Sequence, residues 1–297
     1  MNIFKIVWKF SRPHTIIGSI ISITTLYMMA YNANNLFDIK LLLLSIIVGI
    51  TCNVFIVGIN QIADLHIDKI NKPELPIPSG VLSPSQAKII VYASLIICYL
   101  FAAYISMYLL VIVILSTFIG WAYSMPPFHL KKHHISAAIA ISSVRGVLLN
   151  AGGFLLFNFL LNNSSELTDD AEVLTVFVIA FSIVISWFKD LSDIEGDAQF
   201  KINTLAIQYS PKLALIIGNI IVSLAYLYSI IFSNNNSFLL FGHVVLWCLF
   251  ILNSFSIQLN INDSIRKYYK RFWWFFFAEY LLYLADAIIK IYPSIVN

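Results

Sequence analysis

Charge is what this chain has least of. Only 11% of its 297 residues are Asp, Glu, Lys or Arg, against about a quarter in an ordinary soluble domain. With 60% hydrophobic residues there is too little polar material to cover a water-facing surface, which excludes a soluble enzyme and requires an integral membrane protein. Cysteine is equally scarce. Cys52, Cys98 and Cys248 fall inside apolar runs without metal-ligand spacing, which excludes a disulfide framework or a zinc site and points to buried packing. The N-terminal MNIFKIVWKFSRPH has neither a cleavage site nor Ser/Arg-rich transit character, so the first helix is expected to be retained. A net charge of +3 says little until the charges are placed; no nucleic-acid partner is expected, and no feature specifies an oligomeric state.

What is there in abundance is membrane-length apolar sequence. A span needs about 20 such residues, and runs of this kind lie near 14–31, 40–62, 87–105, 108–125, 135–160, 171–188, 205–232, 238–259 and 272–292. The expected fold is all-α and multi-pass, with nine transmembrane helices and no appended soluble domain. Charge placement supports this number independently. Lys5, Lys9, Arg12, Lys69, Lys72, Lys88, Lys131, Lys132, Lys189, Lys201, Lys212, Arg266, Lys267, Lys270 and Arg271 all fall on one side, and only Lys40 and Lys290 on the other. An excess of lysine and arginine marks cytoplasmic loops. The N-terminus and the basic loops are therefore expected in the cytoplasm.

The scarce acid is concentrated. Asn60, Asp64 and Asp68 in NQIADLHID, and Asp190, Asp193, Glu195 and Asp197 in KDLSDIEGD, sit at the edges of spans, with Glu74 behind the first group. Positions four apart on a helix differ by about 40° in azimuth, so each group reads as one polar stripe. Such acid is costly at a membrane boundary unless a cation meets it, and like charges this close repel unless protonated or bridged by metal. Oxygen-only ligands select Mg²⁺ or Ca²⁺ over zinc or copper. Two facing carboxylate rails suit a diphosphate held between Mg²⁺ ions. Lysines interleave with the rails and would stabilise a departing diphosphate. For Lys131 and Lys132 the topological bias accounts for their presence equally well.

These residues resemble a known family. NQIADLHIDKINKPELPIPSG is similar to the first signature of the UbiA-type intramembrane prenyltransferases, N-x3-D-x3-D followed by a basic loop and a Pro/Gly turn, and KDLSDIEGD to the second, D-x2-D-x3-D. WKFSRPHTIIGS, AYSMPP at 122–127 and VRG at 144–146 look like the homogentisate prenyltransferase branch. After PP the family usually carries a pattern like R-L-K; here Phe128, His129, Leu130 and Lys131 retain only the lysine. The resemblance covers residue 8 to about 205 by motif, and the nine spans extend it to residues 1–297 as a single intramembrane domain, one helical bundle around a central cavity.

The resemblance implies Mg²⁺-dependent transfer of an isoprenoid chain from its diphosphate to an aromatic acceptor, homogentisate-like, at the cytoplasmic side of the bilayer. It assigns metal binding to Asn60, Asp64, Asp68, Asp190, Asp193 and Asp197, with Asp64, Asp68, Asp190 and Asp193 catalytic. Asn60, Lys69, Lys72, Lys189 and Arg145 would hold the diphosphate. Tyr123, beside the Pro-Pro turn, is the candidate for contact with the allylic cation or the acceptor, because a π face stabilises positive charge without reacting with it. Arg145 is the only Lys or Arg well inside a span, so it should face the cavity or a carboxylate. His14 reads equally as an acceptor contact or a satisfied histidine at a helix start. Glu279 and Asp286 share a face and should pack on a neighbouring helix's polar atoms, and His66 points off the rail. A same-fold terpene cyclase, or a hydroxybenzoate or lipid acceptor, is the alternative outcome. A cation-coupled transporter is disfavoured because its acids would lie near the bilayer centre.

Overall fold

Serines, threonines and asparagines between the apolar runs set where the helices begin. The computed structural model describes residues 2–31, 37–233 and 235–291. Helix α1 (Ile3–Phe10) is short and amphipathic, and α2 (Pro13–Ala30) and α3 (Ile39–Ala63) are the first two spans. A short α4 (Leu65–Asn71) follows. Ser83 opens α5 (Pro84–Ile105) with a reciprocal cap through Gln86, and Ser106 opens α6 (Met107–Ser124) by accepting from the Leu109 amide. Such caps satisfy amides that lack a partner in the first helical turn.

A 3-10 turn at Leu130–Lys132 leads into a long rod: α7 (His134–Ser142), a π-helical stretch (Ser143–Ala151) and α8 (Gly152–Asn162). Then come α9 (Asp169–Asp190), the short α10 (Ile194–Gln199) and α11 (Leu205–Gln208), and the spans α12 (Pro211–Phe232), α13 (Ser237–Ser254) and α14 (Asn262–Ile291). Among the described residues nine helices are long and apolar enough to cross a bilayer, as the sequence predicts, and no strand occurs.

Several boundaries differ from the expectation: the eighth span ends at Ser254, five residues before its run was expected to end. The seventh run begins at Pro211, because proline has no amide to continue a helix, and residues 205–208 form a separate turn capped by Thr204. The ninth helix begins ten residues earlier than its apolar run, since Arg266, Lys267, Lys270 and Arg271 carry it past the hydrophobic zone. Each acidic stripe is also broken rather than continuous. The first breaks at Asp64 (φ −89°, ψ 8°), although Asp64 N–H still donates to the Asn60 carbonyl and Asp68 N–H to that of Asp64, which preserves the four-residue register. The second breaks after Asp190, in a tight turn through Leu191 and Ser192.

Helix α9 runs through the core, with Leu174, Phe177, Val178, Phe181, Val184 and Phe188 fully buried. Phe181 stacks on Phe272 of α14 with ring centroids 4.2 Å apart. Close approach needs small residues: a Cβ on Gly146 would lie 2.2 Å from the Ile179 side chain, and one on Gly58 2.4 Å from Val91. Glu279 and Asp286 meet polar groups of α13 and its entry: Glu279 Oε1 lies 3.0 Å from His243 Nε2, and Asn236 donates to Asp286 at 2.7 Å. The bundle leaves both acidic breaks at the same end of the molecule, over a cavity.

Candidate active site

The first break gathers its groups from three elements. Asn60 Nδ2 donates to Asp64 Oδ2 at 3.0 Å and to Ser124 Oγ, at the end of α6, at 3.3 Å. Asp64 is also ion-paired with Lys131, which the 3-10 turn carries across from the loop after α6. Lys131 is buried; burial pulls its ammonium pKa down, with Asp64 opposing. Asp68 is buried one turn further on, with Oδ2 lacking any hydrogen-bond partner. Burial raises its carboxyl to about 6, against the pull of Lys72 and Arg12.

The second break faces it. Asp190, Asp193 and Asp197 are all buried. Asp193 is ion-paired with Lys72 from the end of α4 and accepts from Ser192 at 3.0 Å. Burial opposes its ionisation, but Lys72 and Lys189 outweigh burial and hold its carboxyl below the usual range. Asp197 makes no ion pair among the described residues, and burial followed by the charge of Asp190 raises it to about 7, against the weaker pull of Lys189 and Lys72. Lys189 lies 3.7 Å from Asp190 and donates to the Tyr123 hydroxyl at 3.3 Å.

Asn71 holds the two breaks together. Its Nδ2 donates to the Asp193 carbonyl at 3.0 Å, its Oδ1 accepts from the Gly196 amide at 2.9 Å, and its own carbonyl accepts from Arg266 at 3.1 Å. A buried amide with donor and acceptor both used this way fixes the register of α4 against α10.

Beneath the breaks lies a cavity of about 240 Å³. Asn60, Tyr123 and Lys189 line its acidic end, and Arg145, Trp273, Phe276 and Tyr280 are among its walls. Arg145 faces this cavity and not a carboxylate: its guanidinium lies 4.7 Å from the Trp273 ring centroid and 5.9 Å from that of Phe276. His14 meets Trp273 edge to face at 4.9 Å. Of the residues singled out in the sequence, Lys69 is not brought in. It is exposed, lines no part of the cavity and makes no ion pair among the described residues, because a residue one position past Asp68 points to the outer side of α4. Glu195 and His66 are exposed as well.

Sequence reasoning missed Lys131 as a site residue, together with Asn71, Ser124 and the aromatic residues of α14 that wall the cavity. Arg12, on the cavity wall and acting on Asp68, was also missed. The donor set suits a hard divalent cation: oxygens only, with one buried carboxylate oxygen orphaned on Asp68. In this arrangement lysines rather than a third carboxylate answer Asp64 and Asp193, and among the described residues no three Asp, Glu, His or Cys side chains converge on one point.

Comparison with known proteins places this geometry. A family model described as "UbiA prenyltransferase family" matches residues 21–276. A homogentisate phytyltransferase of Synechocystis sp. is 35% identical over 294 residues, covering 95% of this chain and 96% of the relative. A chloroplastic homogentisate solanesyltransferase of Arabidopsis thaliana is 33% identical, covering 93% and 75%. Among solved structures, a digeranylgeranylglyceryl phosphate synthase superposes with a TM-score of 0.67 at 23% identity, over 97% of this chain and 99% of that one. A UbiA homolog from Archaeoglobus fulgidus bound to GPP and Mg²⁺ superposes at 0.65 and 15% identity, over 94% and 99%.

Proposed function

The chain belongs to the UbiA prenyltransferase family, and from that premise we propose that it transfers an isoprenoid chain from its diphosphate to homogentisate within the membrane, with Mg²⁺. The observation that carries this reading is the full-length 35% identity to a homogentisate phytyltransferase, in a chain whose two buried acidic breaks face each other over a cavity. On this reading residues 1–297 act as one catalytic domain with the acidic end in the cytoplasm, which the one-sided distribution of lysine and arginine supports.

Asn60, Asp64, Asp68, Asp190, Asp193 and Asp197 would hold the metal. Bound Mg²⁺ supplies charge that matches the departing diphosphate. Lys72, Lys131 and Lys189, which sit on or beside these carboxylates, turn to the phosphate oxygens as the donor enters. Tyr123, held by Lys189, presents its ring at the acidic end, where it stabilises the allylic cation. The apolar wall excludes water, which would otherwise quench that cation to an alcohol.

Purified protein incubated with homogentisate or hydroxybenzoate, against geranylgeranyl, phytyl and solanesyl diphosphates, is expected to yield prenylated homogentisate only when Mg²⁺ is present. Products from a diphosphate alone would identify a cyclase, and turnover of hydroxybenzoate in place of homogentisate would overturn the acceptor.

The perturbed carboxylates also predict a pH dependence. Asp68 at about 6 and Asp197 at about 7 lie above the ordinary 3.8, so between about pH 4 and 7 these two groups hold more protons in the folded state than in the unfolded one, offset in part by His129, which burial lowers. Stability of the metal-free protein is expected to fall as pH rises through that window. The depressed Asp193 acts only below it. Over the same range the apparent KM for Mg²⁺ is expected to decrease as the ligands ionise. Thermal unfolding midpoints and Mg²⁺ titrations at pH 5, 6, 7 and 8 check both trends, and a flat profile in either contradicts the assignment.

A further inference from the structure

Arg145 carries a positive charge inside a membrane span and has no acid to answer it. Its Nη1 is sealed from solvent without a hydrogen-bond partner, and among the described residues it makes no ion pair with a carboxylate. A guanidinium left this way in a low-dielectric wall is expensive. The neighbouring polar groups do not satisfy it, because they satisfy one another: Asn150 donates to Thr175 Oγ1 at 2.8 Å and accepts from the Tyr280 hydroxyl at 2.7 Å. What holds Arg145 is flat and apolar, the faces of Trp273 and Phe276. Stacking on these faces fixes the plane of the guanidinium while leaving its N–H edge free to donate.

Its depth separates Arg145 from the diphosphate end. It lies eleven residues into the rod that starts at His134, roughly 15 Å along the axis at helical rise, whereas the carboxylates and their lysines sit at the helix ends. A diphosphate held there already has three lysines. The backbone around Arg145 is π-helical over Ser143–Ala151, a rare conformation frequent at functional sites, and Arg145 in this stretch lies on the cavity wall.

We infer that Arg145 is the anchor for the carboxylate of the aromatic acceptor, not a diphosphate ligand. A planar carboxylate accepts from the guanidinium edge in a bidentate pair. The aromatic ring of an arylacetate held there lies against Trp273 and Phe276 and extends toward Tyr123 and the acidic end, where the donor's reactive carbon is released. The charge that is unpaired in the free protein is paired by the substrate, so Arg145 determines specificity for acidic acceptors. This inference rests on the homogentisate reading.

The test compares Arg145→Gln and Arg145→Lys with the unaltered enzyme, using homogentisate (2,5-dihydroxyphenylacetate) and its uncharged methyl ester. Loss of a charge-assisted pair is expected to raise the KM for homogentisate on the order of 10- to 100-fold in Arg145→Gln, with the KM for the prenyl diphosphate unchanged. The ester, assayed as a competitive inhibitor, should bind both proteins alike. Arg145→Lys, which keeps the charge and loses the fork, should recover part of the preference. A raised KM for the diphosphate, or a fall in kcat with both KM values unaltered, overturns the anchor. Direct titration of solubilised protein with acid and ester, in the absence of donor, separates this from the parent reading. Should the unaltered enzyme fail to prenylate homogentisate, the proposed reaction falls, but an acid-over-ester binding preference that Arg145→Gln abolishes still upholds the anchor. Absence of that preference in the unaltered protein overturns it.

Discussion

Asp193→Asn is expected to abolish Mg²⁺-dependent prenyl transfer while the protein still inserts and folds. Asp193 is a buried carboxylate that accepts an ion pair from Lys72 and a hydrogen bond from Ser192. Asparagine keeps the shape but cannot neutralise Lys72 or bind a hard cation as strongly. On the proposed assignment the substitution removes one metal ligand, and it leaves Lys72 uncompensated. Loss of a single preorganised group at a site of developing charge costs about 100- to 1000-fold in rate, so kcat/KM is expected to fall by at least ~100-fold. Asp64→Asn should behave alike, because it strands the buried Lys131 in the same way. Both substitutions lie outside the spans, so insertion and expression are expected to hold, while the stranded lysine lowers the thermal midpoint in detergent, more in Asp64→Asn because Lys131 is the more buried of the two. Product formation from a labelled donor is the measurement, and near-normal turnover by either variant would sink the two-rail mechanism.

Gly196→Ala is expected to disable the enzyme without touching a single charge. A Cβ at this position would lie 2.6 Å from both side-chain polar atoms of Asn71, and Asn71 has no free direction in which to retreat, since its amide is hydrogen-bonded on each side. The added methyl must push α10 away from α4. That displacement moves Asp193 and Asp197 relative to Asp64 and Asp68. Because a misplacement of about 1 Å can cost on the order of 100-fold in rate, a loss of this size is expected, accompanied by a raised KM for Mg²⁺ and an unchanged KM for the acceptor. Metal titration of the purified variant checks the split. A variant with wild-type Mg²⁺ dependence would show that the contact between the two breaks is not what sets their register.

The parts of this architecture that depend on local pattern were readable in the chain. Hydropathy marked all nine spans, and the four-residue spacing predicted that Asn60, Asp64 and Asp68 share one stripe, a register that backbone hydrogen bonds preserve even through the break at Asp64. What escaped depends on contacts between distant segments. Lys131 and Lys132 look identical in sequence, yet the 3-10 turn buries the first against Asp64 and leaves the second exposed. Asn71 reads as an unremarkable loop polar residue, and its role exists only because Gly196, 125 residues away, leaves room for it. Lys69 was misplaced for the converse reason: charge and proximity suggested a ligand, but the turn of α4 points it outward.

Helix α14 runs unbroken for 30 residues. Arg266, which grips Asn71, and Trp273, Phe276 and Tyr280, which wall the cavity, are thus points on one lever. A ligand that leans on the aromatic face cannot shift this helix without transmitting the movement to the clasp between the acidic breaks. Whatever displaces the cavity wall along this helix therefore also loads the Arg266–Asn71 hydrogen bond at the other end.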